Sequence, residues 1–171
     1  IDYIFNYSSD YKWKEVSSIT FNNKKSKNMG NQECLQKKTL VVGSGILYNL
    51  KALSDIGWYD PSYFVDCVDY EYCLSSKLKG YKVYEYQCTP GYDHIKYQDA
   101  DLISIFGKKF SLLRVYSLSR VKDTLKSSSK LILKSIQHVE FLFLFHIVRF
   151  LLIYVFFQFL ARFLAIIYSK K

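Results

Sequence analysis

Three carboxylates, Asp66, Asp69 and Glu71, fall within six residues of the segment Gly57 to Val83, GWYDPSYFVDCVDYEYCLSSKLKGYKV. A carboxylate that opens a helix can accept backbone N–H groups and stay ionised, which suits a base taking a proton from a hydroxyl. Asp69 holds that place if a helix starts beside it. The same pattern also fits N-capping and surface solvation, and spacing alone does not choose between them. Upstream, Gly43-Ser44-Gly45 follows the β-branched run Thr39 to Val42, and the glycines let a ligand approach the backbone closely. Downstream, His94 stands alone, a residue type more often structural than ligating. Asp99-Ala100-Asp101 has the spacing of a metal motif but reads as a helix cap. Cys34, Cys67, Cys73 and Cys88 are scattered, with no CxxC pair and no His at zinc-ligand spacing, so they read as reduced, mostly buried thiols.

The elements that must position these groups come from a chain of 171 residues, 50% hydrophobic and 18% aromatic, enough for one core with an appendage. Val16 to Phe21 alternates as a strand, and a loop is expected through residues 24–30. Thr39 to Val42 reads as a strand and Ile46 to Ile56 as a helix stopped by Gly57. A second helix is expected over Val68 to Leu78, ended by Gly80, and a strand over Tyr81 to Tyr86. Strand, helix, helix, strand is an α/β order. Residues 101–134 read as helical and basic. No signal peptide is read in the opening IDYIFNY.

Charge is unevenly placed: residues 1–107 carry 12 Lys/Arg against 13 Asp/Glu, whereas residues 108–134 carry eight basic residues against Asp123 alone. Because the basic stretch precedes an apolar one, the anionic surface it implies is lipid headgroups. Nucleic acid is the lesser reading and is not expected, since no recognition motif accompanies the charge. From Val139 to Tyr168 nearly every residue is apolar, apart from Glu140, His146, Arg149, Gln158 and Arg162. Arg149 and Arg162 lie about 220° apart around one helix, so no single polar stripe holds every interruption. One span near Phe150 to Tyr168 and two short in-plane helices are both open readings; a wholly buried soluble helix is disfavoured.

Ser44-Gly45, the Gly57 to Val83 segment and His94, in that order, resemble the second half of family 2 glycosyltransferases, especially bacterial rhamnosyltransferases. Further matches are Gly57 with Asp60, Phe64 with Asp66, Cys73-Leu74 and Gly80-Tyr81. Arg114-Val115-Tyr116 and Arg120-Val121 add a degenerate echo. The resemblance covers roughly Val41 to Lys122. It departs from the family at Pro61, Ser75 and Val121, and the nucleotide-binding half with its Asp-x-Asp motif is not found. The resemblance implies an α/β fold with a partial GT-A domain over residues 1–107, beyond which charge and hydropathy set a basic segment over 108–138 and a hydrophobic, membrane-associated helical tail over 139–171. It also implies inverting transfer from a nucleotide sugar such as dTDP-rhamnose to a lipid-linked or polysaccharide acceptor, in surface polysaccharide (O-antigen or capsule) synthesis at the cytoplasmic face of a bacterial inner membrane. Asp69 would be the base, Glu71 would orient it or contact the acceptor, and Asp66 would lie on the same lip. Ser44 and Gly45 would line the floor, and His94 would bind a divalent cation, Mg²⁺ or Mn²⁺, on the diphosphate. The alternative is a truncated, non-catalytic remnant or membrane partner lacking the donor-binding half.

Overall fold

The computed structural model describes residues 13–21, 34–42, 45–63, 66–89, 101–105 and 108–168, so Ser44, His94 and the 24–30 loop lie outside the described residues. It is a mixed α/β structure that divides into two compact units, residues 1–63 with 68–94 and residues 64–67 with 95–171.

In the first unit a four-stranded mixed sheet has the order β2-β4-β1-β3, where β1 is Val16–Phe21, β2 Leu35–Lys38, β3 Ile46–Tyr48 and β4 Lys82–Tyr86. β1 runs parallel to β4 and antiparallel to β3. It is central, and its first five residues are buried, so both faces carry side chains that must fit inside. Val16 and Ile19 pack with Leu35, with Tyr84 and Tyr86 against them.

The expected helix over Ile46 to Ile56 is in fact two elements. Ile46, Leu47 and Tyr48 form β3, in register with Thr20, Ile19 and Ser18, and the helix, α1, covers Leu50–Ile56. Asn49 divides them: its carboxamide oxygen accepts from the N–H groups of Lys51 and Ala52, and its Nδ2 donates to the Val16 carbonyl at 3.0 Å. Apolar residues of a short strand had fallen at helical spacing. Gly57 closes α1 at φ 98°, as the sequence suggested. The second helix, α2, covers Val68–Leu78 as expected, and Gly80 follows at φ 81°. The strand expected over Thr39 to Val42 lies instead at Leu35–Lys38, where antiparallel pairing to β4 is available.

Cys34 and Cys88 correct the reading of reduced thiols. They form a disulfide with a Cα–Cα distance of 5.2 Å, just beyond the Leu35↔Tyr86 pair, where the Gln87 N–H also donates to the Cys34 carbonyl at 2.8 Å. A separation of 54 residues hid this from sequence reading, because only the β2–β4 register brings the two together. Cys67 and Cys73 are free and buried, as expected.

In the second unit, residues 101–134 are not all helical. β5, Asp101–Ile105, pairs antiparallel with β6, Lys108–Val115, so Asp101 opens a strand and caps no helix. Residues 95–107, read from sequence with the sheet domain, group here with the tail. The physical reason is cover for an apolar helix: Leu113 and Val115 of β6 pack on Phe157, Leu160, Ala161 and Leu164. Those residues belong to α4, Phe141–Tyr168, one helix of 28 residues where a shorter span or two short helices were open readings. It is long and apolar enough to cross a membrane.

α3, Leu118–Gln137, precedes it and buries a narrow face of Thr124, Ser127, Ser128, Leu131 and Ser135. The turn between the two helices is a Schellman motif. The Val139 N–H bonds the Ile136 carbonyl at 3.0 Å, and the Glu140 N–H bonds the Ser135 carbonyl at 2.9 Å. Val139 occupies the left-handed position at φ 57°, where a β-branched side chain is strained.

Val139→Gly is expected to raise unfolding free energy by about 1 kcal/mol, read from a urea midpoint shift, because the glycine carries no Cβ in that conformation. Thiol titration of the denatured, unreduced chain is expected to give two free thiols, and four after reduction. Four without reduction would contradict the disulfide.

Candidate functional site

α2 returns to β4 through Lys79 to Tyr81, and its first turn stands just before Tyr72, whose hydroxyl reaches the Ser17 carbonyl near the amino end of the parallel pair β1–β4. That turn carries Asp69 and Glu71. The two carboxylates differ. Glu71 is buried and accepts a hydrogen bond from Ser75 Oγ at 2.6 Å, which joins it to the next turn of its own helix. Asp69 is half-buried.

Beside Asp69 lies a cluster of three tyrosines that sequence reasoning did not single out. Tyr48 ends β3, Tyr59 follows α1, and Tyr72 lies on α2. Their ring centroids are 6.0 Å apart for Tyr48–Tyr59, 5.4 Å for Tyr48–Tyr72 and 5.3 Å for Tyr59–Tyr72. The Tyr48 and Tyr59 hydroxyls are hydrogen-bonded to each other, and Tyr72 donates to the Ser17 carbonyl at 3.3 Å. Burial, with the Asp69 charge adding to it, raises the Tyr48 and Tyr59 hydroxyls above the ordinary phenol value. Both therefore hold their protons at neutral pH and serve as donors or partners, never as bases. A period of 3.6 could have drawn attention to Tyr72 alone; the three rings meet only through the sheet.

Cys73, next to Tyr72, is buried. Burial pushes its thiol up to about 12 against the lowering effect of a backbone hydrogen bond from Val41, and the charges of Asp69 and Glu71 add to the rise. It carries no reactivity at neutral pH. Gly45, proposed from sequence as part of the floor, is exposed at φ 70°, and its carbonyl accepts from the Phe21 N–H at 3.0 Å. This fixes it at the end of β1. Its neighbour Ser44 lies outside the described residues.

Asp66 belongs to the second unit. Its carboxylate accepts from the Thr124 hydroxyl and meets Arg120 Nη2 at 3.5 Å. The Arg120 guanidinium lies 4.6 Å from the centroid of Tyr116, which stacks on Tyr154. Tyr116 and Arg120, the two ends of the degenerate echo seen in the sequence, are thus brought into contact. Beside them is an open cavity of about 260 Å³, lined by Tyr116, Tyr154, Phe150, Phe157 and Gln158 among others, mostly apolar.

Among the described residues no three His, Cys, Asp or Glu side chains gather as metal ligands, and His94 lies outside them. The described residues therefore supply no donor set against which a divalent cation can be fitted. Comparison with protein-family models, with curated proteins and with solved structures gives no match.

The raised thiol sets an alkaline limit on stability. The unfolded chain releases the Cys73 proton near 9.0 while the folded chain holds it to about 12. Stability is then full below pH 9 and falls as pH rises through that interval. Urea unfolding across that interval is expected to show the decline, and Cys73→Ala is expected to lessen it, leaving the part that comes from the raised Cys67 thiol and the raised Tyr48, Tyr59 and Tyr72 hydroxyls.

Proposed function

We propose that the sheet unit is the acceptor-side part of a GT-A-type sugar transferase, with Asp69 as the base. One observation supports this reading above others. Asp69 stands half-exposed in the first turn of α2 while the tyrosine hydroxyls beside it hold their protons, which leaves Asp69 as the proton acceptor of that cluster. A carboxylate in the first turn of a helix is favoured in its charged form. An acceptor hydroxyl placed over it gives up its proton to Asp69, and its oxygen attacks the anomeric carbon of a nucleotide sugar. The bond from that carbon to the diphosphate breaks, with inversion. The partly exposed rings of Tyr48 and Tyr59 offer the apolar surface on which a sugar ring stacks. Glu71, buried against Ser75, acts by fixing the turn that carries Asp69.

The donor, a nucleotide sugar such as dTDP-rhamnose, enters this proposal through the sequence resemblance, as do the divalent cation with His94 and a bacterial surface glycan as product. No step above runs through the cation. A lipid-linked acceptor agrees with the long apolar helix α4, which is compatible with membrane association. On the side of the membrane two features pull apart. The basic stretch favours the cytoplasmic face, whereas disulfides such as Cys34–Cys88 persist in oxidising compartments. We place the chain at the cytoplasmic face on the basic stretch; a Cys34–Cys88 bond that survives in chain alkylated inside intact cells would reverse that placement.

Asp69→Asn is expected to lower the rate of sugar transfer to a lipid-linked acceptor by about 10²- to 10⁴-fold with binding retained, the usual contribution of a general base. An unchanged rate would remove Asp69 from the role. Titration of the chain with nucleoside diphosphate and Mn²⁺ or Mg²⁺ separates the enzyme from the alternative of a non-catalytic membrane partner. Saturable binding favours the enzyme, and its absence favours the partner.

A further inference from the structure

α4 is long enough to cross a bilayer, yet its own unit accompanies it along its whole length. Its first half lies beside α3, which returns antiparallel through the tight turn at residues 138–140 and brings Thr124 Oγ1 within 3.4 Å of the Tyr154 hydroxyl. Its second half lies beside β6. There the Gln158 side chain donates to the Arg114 carbonyl at 2.8 Å and accepts from the Tyr116 N–H at 3.3 Å, as a neighbouring strand would. Arg162 donates to the Tyr116 carbonyl at 2.7 Å. This accounts for the two arginines lying far apart around the helix: Arg162 turns inward to the hairpin, and Arg149 is exposed.

A crossing orientation would carry these companions into hydrocarbon. α3 exposes Lys122, Lys126 and Lys130, and charged side chains on a lipid-facing surface are strongly disfavoured. A two-stranded hairpin likewise brings open backbone edges that hydrocarbon cannot satisfy. No stretch of α4 about 30 Å long is free of one or the other. The remaining way to shelter its outer face is from the side.

That outer face is continuous. Phe145, Leu152, Phe159 and Ile166 recur every seven residues, and each is more than 60% exposed. The exposed surface of α3 has the matching character. Leu118, Leu125, Leu133 and Ile136 fall within an arc of about 80° that also holds Lys122, and the exposed Lys126 and Lys130 continue it on one side. An apolar strip edged by lysines is the pattern of a helix lying at the level of anionic headgroups.

We infer that the second unit is a monotopic anchor: α4 lies in the plane of an anionic lipid bilayer with its Phe145–Ile166 face in the acyl boundary, and it does not cross. Arg149 reaches the headgroups by bending its side chain, as long cationic side chains do at an interface. The inference is independent of sugar transfer by the first unit.

The test uses the full chain with phosphatidylcholine–phosphatidylglycerol vesicles. Phe145→Cys, Leu152→Cys, Phe159→Cys and Ile166→Cys are each labelled with an environment-sensitive fluorophore, and depth is read by quenching with lipids spin-labelled at shallow and deep positions. The native thiols Cys67 and Cys73 are buried and do not compete for label. The four sites span about 31 Å of helix. An in-plane helix gives one shallow depth at all four. A depth that is greatest at residues 152 and 159 and least at 145 and 166 would mean a crossing helix and overturn the inference. Lys126→Glu with Lys130→Glu in the unlabelled chain is expected to weaken co-sedimentation with these vesicles by about tenfold or more, and to change little on phosphatidylcholine alone. A chain that ignores vesicles and sediments as a dimer, its apolar face covered by a second copy, would also overturn it.

Discussion

The backbone of β1 is the constraint on which the first unit depends. Its edges are taken up by β3 and β4, and two of its carbonyls do further service: Val16 accepts from Asn49, which caps α1, and Ser17 accepts from Tyr72 of α2. Buried backbone oxygens must find partners, and here the partners are the side chains that orient both helices. The position of Asp69 follows from this. Its helix is held to β1 through Tyr72, three residues along the chain and so close to the same helical face. A substitution that shifts β1 therefore moves the candidate site without touching it.

The second unit is organised by a different requirement, cover for a helix that is apolar around most of its circumference. Hydroxyl-bearing residues on α3 let it come close, and the Gln158 amide satisfies the end of β6. The buried polar side chains of this unit thus serve approach and backbone satisfaction more than surface solubility.

α2 and the strand after it were legible because their signals are local: periodic apolar residues, an acidic first turn, and Gly80 at the stop. β1 was legible by alternation. β3 was not, since three residues are too few to establish a period, and the Asn49 cap that separates strand from helix was passed over. β5 and β6 were read as helix because their basic, apolar mixture fits either period, and only the need to cover α4 decides between them. Of the candidate site, the carboxylate pair was visible in the sequence. The tyrosine cluster was not, because its members come from three elements and meet only in the folded sheet.

The parallel pairing of β1 with β4 also fixes an order of assembly. Ser17 bonds a carbonyl 65 residues further on, so the central strand has no partner on that side until β4 has left the ribosome. Non-local pairing of this kind is slow to form, whereas the α3–α4 turn closes between neighbours. Until β4 arrives, β1 offers an unpaired apolar edge, and the nascent chain's exposure to misassociation is set by the time taken to synthesise residues 22–81.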